Sequence, residues 1–142
     1  MKSPNLAPRL LAILRIVAMI NFISHGTQKL FDYPPTIPPH PWPGFLQVAG
    51  GLEIIGGLMI AAGLFTRPVA FILCGEMAVA YFRVHAPRDF WPLQNGGEIT
   101  VLYCFFFLYL VAEGAGAWSL DSRLRSRQLA RGESHASQET KI

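Results

Sequence analysis

The chain has 142 residues, 51% of them hydrophobic and only 15% charged, with a formal net charge of +3. That length supports one domain, and the excess of apolar over charged residues lies outside the range of soluble globular domains, leaving a lipid bilayer as the natural solvent. The positive charge is spread along the chain and forms no patch interleaved with aromatics, which excludes nucleic acid as a partner.

The apolar residues fall into four blocks, Leu10 to Phe31, Phe45 to Leu64, Val69 to Phe82 and Ile99 to Ala112, separated by Pro, Gly and charge. With its flanks, each block reaches the roughly 17–25 residues that a tilted helix needs to cross about 30 Å of hydrocarbon. The expected fold is therefore all-α, a four-helix transmembrane bundle.

The first block opens like a secretory signal, with Lys2 and Arg9 ahead of it, but Arg15 interrupts the apolar run, and His25, Gln28 and Lys29 stand where a small-residue cleavage site belongs. It reads as a retained helix from near Pro8 to about Phe31, with Arg15 snorkelling to the membrane surface. Asp32 to Pro43 holds six of the eleven prolines, so a stiff, polyproline-like outer loop follows. Tyr33, Trp42, Phe45, Phe90 and Trp91 fall at this outer level as an aromatic belt.

The second helix ends at Gly63, a C-terminal cap, and Thr66-Arg67-Pro68 opens the third after a few residues, so the two are antiparallel neighbours. The third helix stops by Pro87, and an outer loop, Arg88 to Gln94, follows. Asn95-Gly96-Gly97-Glu98 opens the fourth helix with capping-box spacing. Beyond Trp118 the sequence turns polar, so residues 1–118 form the membrane domain and 119–142 a basic tail, amphipathic or frayed at first and then disordered. Cys74 and Cys104 have no metal-ligand spacing and read as two isolated, buried small side chains.

Lys2, Arg9 and Arg15 precede or open the first helix, Arg67 sits in the turn between the second and third, and Arg123, Arg125, Arg127 and Arg131 follow the fourth. With four spans these segments share one side, which the positive-inside rule makes the cytoplasm, and both termini lie there.

Ionisable groups are costly in lipid, so their positions carry the most information. Asn21, Ser24, His25, Gln28, Lys29 and Asp32 recur at spacings of three, four and seven, as one stripe expected to face the bundle. Glu53 lies among Gly50, Gly56 and Gly57, small residues that let a neighbouring helix approach. Glu76 and Arg83 share a face of the third helix, His85 lies near its outer end, and Glu98 begins the fourth. At about 1.5 Å per residue, Lys29, Arg83 and Glu98 lie roughly 5 Å below the outer boundary, while His25, Asn21, Glu53, Glu76 and Cys104 lie roughly 10–16 Å down. The deep tier then holds two carboxylates and His25 as its cation, so unless Arg83 reaches inward, either His25 is charged or one carboxyl keeps its proton.

His25-Gly26-x-x-Lys29, Gly50-Gly51-x-Glu53-x-x-Gly56-Gly57, Gly63-x-x-Thr66-Arg67, Glu76-Met77-Ala78-x-Ala80-Tyr81-Phe82 and Asn95-Gly96-Gly97-Glu98, in this order and spacing, resemble the DoxX family over roughly residues 9 to 120. The resemblance implies a small four-helix protein of the bacterial inner (plasma) membrane. It also implies kinship with subunits of membrane-associated oxidoreductase complexes, linked to thiosulfate and quinone or to thiol stress. The family's charged positions correspond here to His25, Lys29, Glu53, Glu76, Arg83 and Glu98.

Three functions fit these residues. In the first, the chain is a subunit of a membrane oxidoreductase: Glu53, Glu76 or His25 moves protons, while Lys29, Arg83, Glu98, Asn21 and Gln28 are candidates for holding a quinone headgroup. The sequence carries no haem, flavin, iron–sulfur or metal signature, so no cofactor is intrinsic and a redox-protein partner must supply the electrons. In the second, it is an accessory or assembly protein whose polar core fixes one geometry. In the third it is a small proton-linked carrier, undersized unless it forms a homo-oligomer.

Overall fold

A computed structural model describes residues 6–36 and 43–139, with side chains described as far as 130. Every regular element among the described residues is helical: α1 (Leu6–Phe31), α2 (Gly44–Ala62), α3 (Thr66–Ala80), which continues into a π-helical turn over Tyr81–His85, α4 (Pro92–Asn95), α5 (Glu98–Glu113) and α6 (Leu120–Glu139). α1, α2 and α3 with its π-turn are long and apolar enough to cross a membrane. α5 has 16 residues, or about 24 Å, which is short of the hydrocarbon thickness on its own. The proline-rich stretch 37–42, including Trp42 of the aromatic belt, lies outside the described residues; Tyr33, Phe45, Phe90 and Trp91 are all exposed.

α1 packs on α2, α2 on α3, and α3 on α5. The helices meet through Met19, Phe22, Ile60, Leu73, Phe107 and Leu110, all essentially inaccessible. Phe22 of α1 stands 5.0 Å, centroid to centroid, from both Tyr103 and Phe107 of α5, which closes the packing between the first and last apolar helices. α1 and α2 come together at glycines: a Cβ on Gly26 would stand 2.7 Å from the Gly50 carbonyl oxygen, so the backbones touch where a side chain would separate them. Gly56 and Gly57 instead receive the side chains of Leu73 and Ile23.

The α2–α3 turn follows the sequence closely. Gly63 is the left-handed cap of α2, with φ +67°, and α3 begins at Thr66. Three expectations are corrected. Arg15 does not snorkel; it is wholly buried and donates hydrogen bonds to the carbonyls of Ile60, Ala61 (3.0 Å) and Trp118 (3.2 Å). It lies on the same helical stripe as Leu11, Met19, Phe22 and Gly26, the buried face of α1, so its head cannot reach water, and it turns to the carbonyls in the last turn of α2. The capping box is absent: Asn95 closes α4, its Oδ1 accepts from Gly97 N at 2.7 Å, and α5 starts at Glu98 without a side-chain cap. The cysteines are not isolated, since their Sγ atoms face each other across α3 and α5 at 3.7 Å.

The segment after Trp118 is one helix to Glu139. Its first turn is tied to the α2–α3 turn by Asp121, whose carboxylate accepts from Phe65 N (2.8 Å) and Thr66 N (2.9 Å) and whose N–H donates to Gly63 O (2.9 Å). Asp121 thereby caps α3 from a distance, in place of a residue of the turn itself.

Candidate functional site

α1 and α2 place Lys29 and Glu53 together as a salt bridge, the Lys29 ammonium on Glu53 Oε1. The close contact of Gly26 with Gly50 sets the pair, since it lies within one turn of that crossing on each helix. Glu53 is on the buried stripe of α2 with Gly50, Gly56, Gly57 and Ile60. Its second oxygen is buried without a hydrogen-bond partner among the described residues. Glu76 enters from α3, and both of its carboxyl oxygens are buried without one. Glu53, Glu76 and Lys29 lie near enough to act on one another electrostatically. Acids from two helices and a base from a third thus form one cluster.

Beside this cluster, α2 and α3 enclose a cavity of about 350 Å³. Ala49, Leu52, Ile72 and Val79 make its walls apolar, with Glu76 within and Arg83 in the lining nearer the outer end. Leu52, Ile72 and Val79 are also exposed on the outer surface of the helices, so the cavity opens sideways, toward where lipid would lie. The Arg83 guanidinium stands 5.9 Å over the Phe45 ring, a cation–π geometry that turns its charge across the mouth. Glu76 and Arg83 are the polar residues lining an otherwise apolar, laterally open recess, which suits an amphipathic ligand with a small polar head.

The other candidates are distributed differently. The stripe on α1 is too wide to face one way: Lys29 points inward, while Asn21 and, at the stripe's flank, His25 are exposed, which corrects the expectation that the whole stripe faces the bundle. Asn21 donates only to Val17 O of its own helix (3.3 Å), and Gln28 to Pro34 O (3.1 Å). The deep cation is therefore Lys29 and not His25, and the two expected tiers merge, because Lys29 reaches down to Glu53. Glu98 is exposed and does not join the cluster. His85 serves the outer loop, with its ring nitrogens 3.3 Å from Asn95 O and from Thr100 Oγ1.

Sequence reasoning missed Arg15, Asp121 and Tyr103, whose hydroxyl donates to Ala18 O at 3.1 Å. Arg15 was detectable from its position on the Leu11–Met19–Phe22 stripe; Asp121 had no local signal, being 56 residues from its partner Phe65. A larger cavity, about 650 Å³, lies at the Arg15 end, where α6 meets the start of α3 and the end of α5. Its arginines, Arg67 and Arg125, are matched by Glu113 and Asp121, so it offers no unbalanced charge to a ligand.

Comparison with known proteins gives a match to the family model described as DoxX over residues 10–86. A relative from Haemophilus influenzae is 45% identical over 122 residues, covering 82% of this chain and 91% of that protein, and is described as an uncharacterized protein. No solved structure matches at a significant level.

Proposed function

The chain belongs to the DoxX family, and from that membership and the unpartnered Glu76 we propose that it is a membrane-embedded subunit of a quinone- or thiol-linked oxidoreductase complex. In this reading α1, α2, α3 and α5 all span the bacterial inner membrane as a four-helix bundle, with α4 and the outer loop completing the short fourth crossing. Both termini lie in the cytoplasm, as the positions of Arg67, Arg123, Arg125 and Arg127 favour.

The observation that carries the reading is Glu76, which lines a recess that opens sideways and whose two carboxyl oxygens are buried without a hydrogen-bond partner among the described residues. A buried polar group without a partner costs on the order of 1–3 kcal/mol, so an evolved protein keeps one where something else completes it. The residues fit a quinone: an apolar slot for the ring, a carboxyl that can donate or accept a hydrogen bond, and an arginine at the mouth for a carbonyl oxygen. Quinone, when bound, supplies two-electron chemistry coupled to protons. Glu76 orients the headgroup and exchanges a proton with it, Glu53 lies next on the proton's path, and Lys29 holds Glu53 in place. The electrons come from a redox-protein partner.

Binding of a short-chain quinone analogue to the purified protein in nanodiscs tests this. Glu76→Leu should weaken binding about tenfold, the value of one buried hydrogen bond, while Glu76→Gln, which keeps a donor and an acceptor, should bind nearly as well. Equal binding by native protein and Glu76→Leu, or none by either, would refute the quinone site. Redox proteins recovered with the chain from native membranes would support the partner.

An accessory or assembly role is the second reading, favoured by Arg15. That buried cation is used wholly within the chain, as a group that fixes geometry would be.

A further inference from the structure

We propose that α1 is the interface of a parallel homodimer, in which a second copy of this chain covers the outward seam Leu10–Leu14–Val17–Asn21–Ser24–Gln28. These residues are spaced 4, 3, 4, 3 and 4, the alternation that keeps one stripe of a helix against another over its whole length. α1 runs 26 residues, and its buried face, around Arg15, Phe22 and Gly26, points well away from this seam. The other apolar helices all pack on that buried side, so Leu10, Leu14 and Val17 remain more than half exposed.

For purely apolar residues such exposure would mean only contact with lipid. Asn21 changes the argument. It lies ten residues, about 15 Å, from the outer end of the helix, its amide makes one long bond to its own backbone, and its Oδ1 has no partner among the described residues. His25 flanks the seam, exposed, with no hydrogen bond to either ring nitrogen among the described residues. Acyl chains offer neither donor nor acceptor, so these groups call for a protein partner.

The chemistry selects a second copy. An amide carries a donor and an acceptor in fixed geometry, so across a two-fold axis along the membrane normal Asn21 meets Asn21 and both are satisfied reciprocally. Ser24, on the same seam, donates its hydroxyl to Asn21 O at 2.6 Å and can still accept a hydrogen bond. The seam carries no net charge to recruit an oppositely charged helix, and its cytoplasmic half is branched aliphatic, as the same positions of a parallel helix pair are. An Asn in such a seam also fixes the register, holding the two copies level in the bilayer. This interface lies on α1 and is independent of any ligand between α2 and α3.

The test uses the full chain, fluorescently labelled and reconstituted at falling protein-to-lipid ratios, with subunits counted by single-molecule photobleaching. Dimers should dissociate at about tenfold higher protein density for Asn21→Leu than for the native chain, the scale of one interhelical polar contact in a membrane, and Asn21→Gln should restore most of the difference. In native membranes, a photocrosslinking side chain at Val17 should give a product of twice the chain's mass, and one at Phe71, on the outer face of α3, should not. The proposal is overturned by a monomer at every ratio, by a dimer indifferent to Asn21→Leu, or by a Val17 product of any other mass.

Discussion

Two clusters of ionisable groups are buried in this protein, and they are built on opposite principles. Around Arg15, the guanidinium is directed at three backbone carbonyls, and nearby Asp121 caps α3; here Arg15 Nε and the Thr66 hydroxyl are buried without a partner among the described residues. Around Glu53 and Glu76, a single lysine pairs with one of two carboxyls, and three carboxyl oxygens have no hydrogen bond among the described residues, beside an open recess. Burial of polar groups is costly in both places. Where the charged groups are spent on the chain's own backbone, the cost is recovered as a fixed geometry. Where groups are left over, stability alone does not account for them.

The comparison breaks most readily at Arg15. Arg15→Met keeps the apolar stem and removes the head, leaving the carbonyls of Ala61 and Trp118 without their donor and that of Ile60 with Gly63 N alone. The loss should be the largest of any substitution here, about 3 kcal/mol after allowing for the desolvation no longer incurred. Equilibrium unfolding in mixed micelles measures it. A loss below about 1 kcal/mol, the scale of an exposed ion pair, would mean that the cluster is not structural.

Lys29→Met should cost less, about 2 kcal/mol, because it strands one carboxyl group where Arg15→Met strips a donor from three carbonyls. If that loss comes from the unpaired carboxylate, Glu53→Gln added to Lys29→Met should restore most of it. Equilibrium unfolding of the single and double variants in mixed micelles measures both. No recovery in the double variant would show that Lys29 acts through its stem and not its charge.

Much of this was legible in the sequence, for reasons that mark where legibility ends. The four apolar blocks, the Gly63 cap and the start of α3 are local signals, and local signals suffice for them. That Glu76 and Arg83 line one recess follows from their seven-residue spacing. The pairing of Lys29 with Glu53 did not follow, because depth counted along each helix ignores how a long side chain reaches along its own axis. The facing of α1 failed for a related reason. A stripe spaced three, four and seven is wide enough that one edge, Lys29, can be core while the other, Asn21, is surface. The role of Arg15 was obscured by charge: the stripe of Leu11, Met19 and Phe22 points it inward, but an arginine near a helix end reads as basic flank. Asp121 needed the tertiary fold, since nothing near it in sequence indicates the turn it caps.

The smallest expected effect is the most informative. Glu76→Leu removes a carboxyl that makes no hydrogen bond and supplies an apolar side chain of similar length to a recess that is already apolar, so its effect on folding should lie within about 1 kcal/mol of native and toward greater stability. Arg15→Met and Glu76→Leu would then move the unfolding curve in opposite directions, although each replaces a buried charged residue by an apolar one. Such a result assigns the first group to the fold and frees the second for a task the fold does not require. If Glu76→Leu is as damaging as Lys29→Met, then Glu76 holds α3 against α2 through contacts with Glu53 and Lys29. The recess would then be a gap beside a structural triad, with no carboxyl to spare for a ligand.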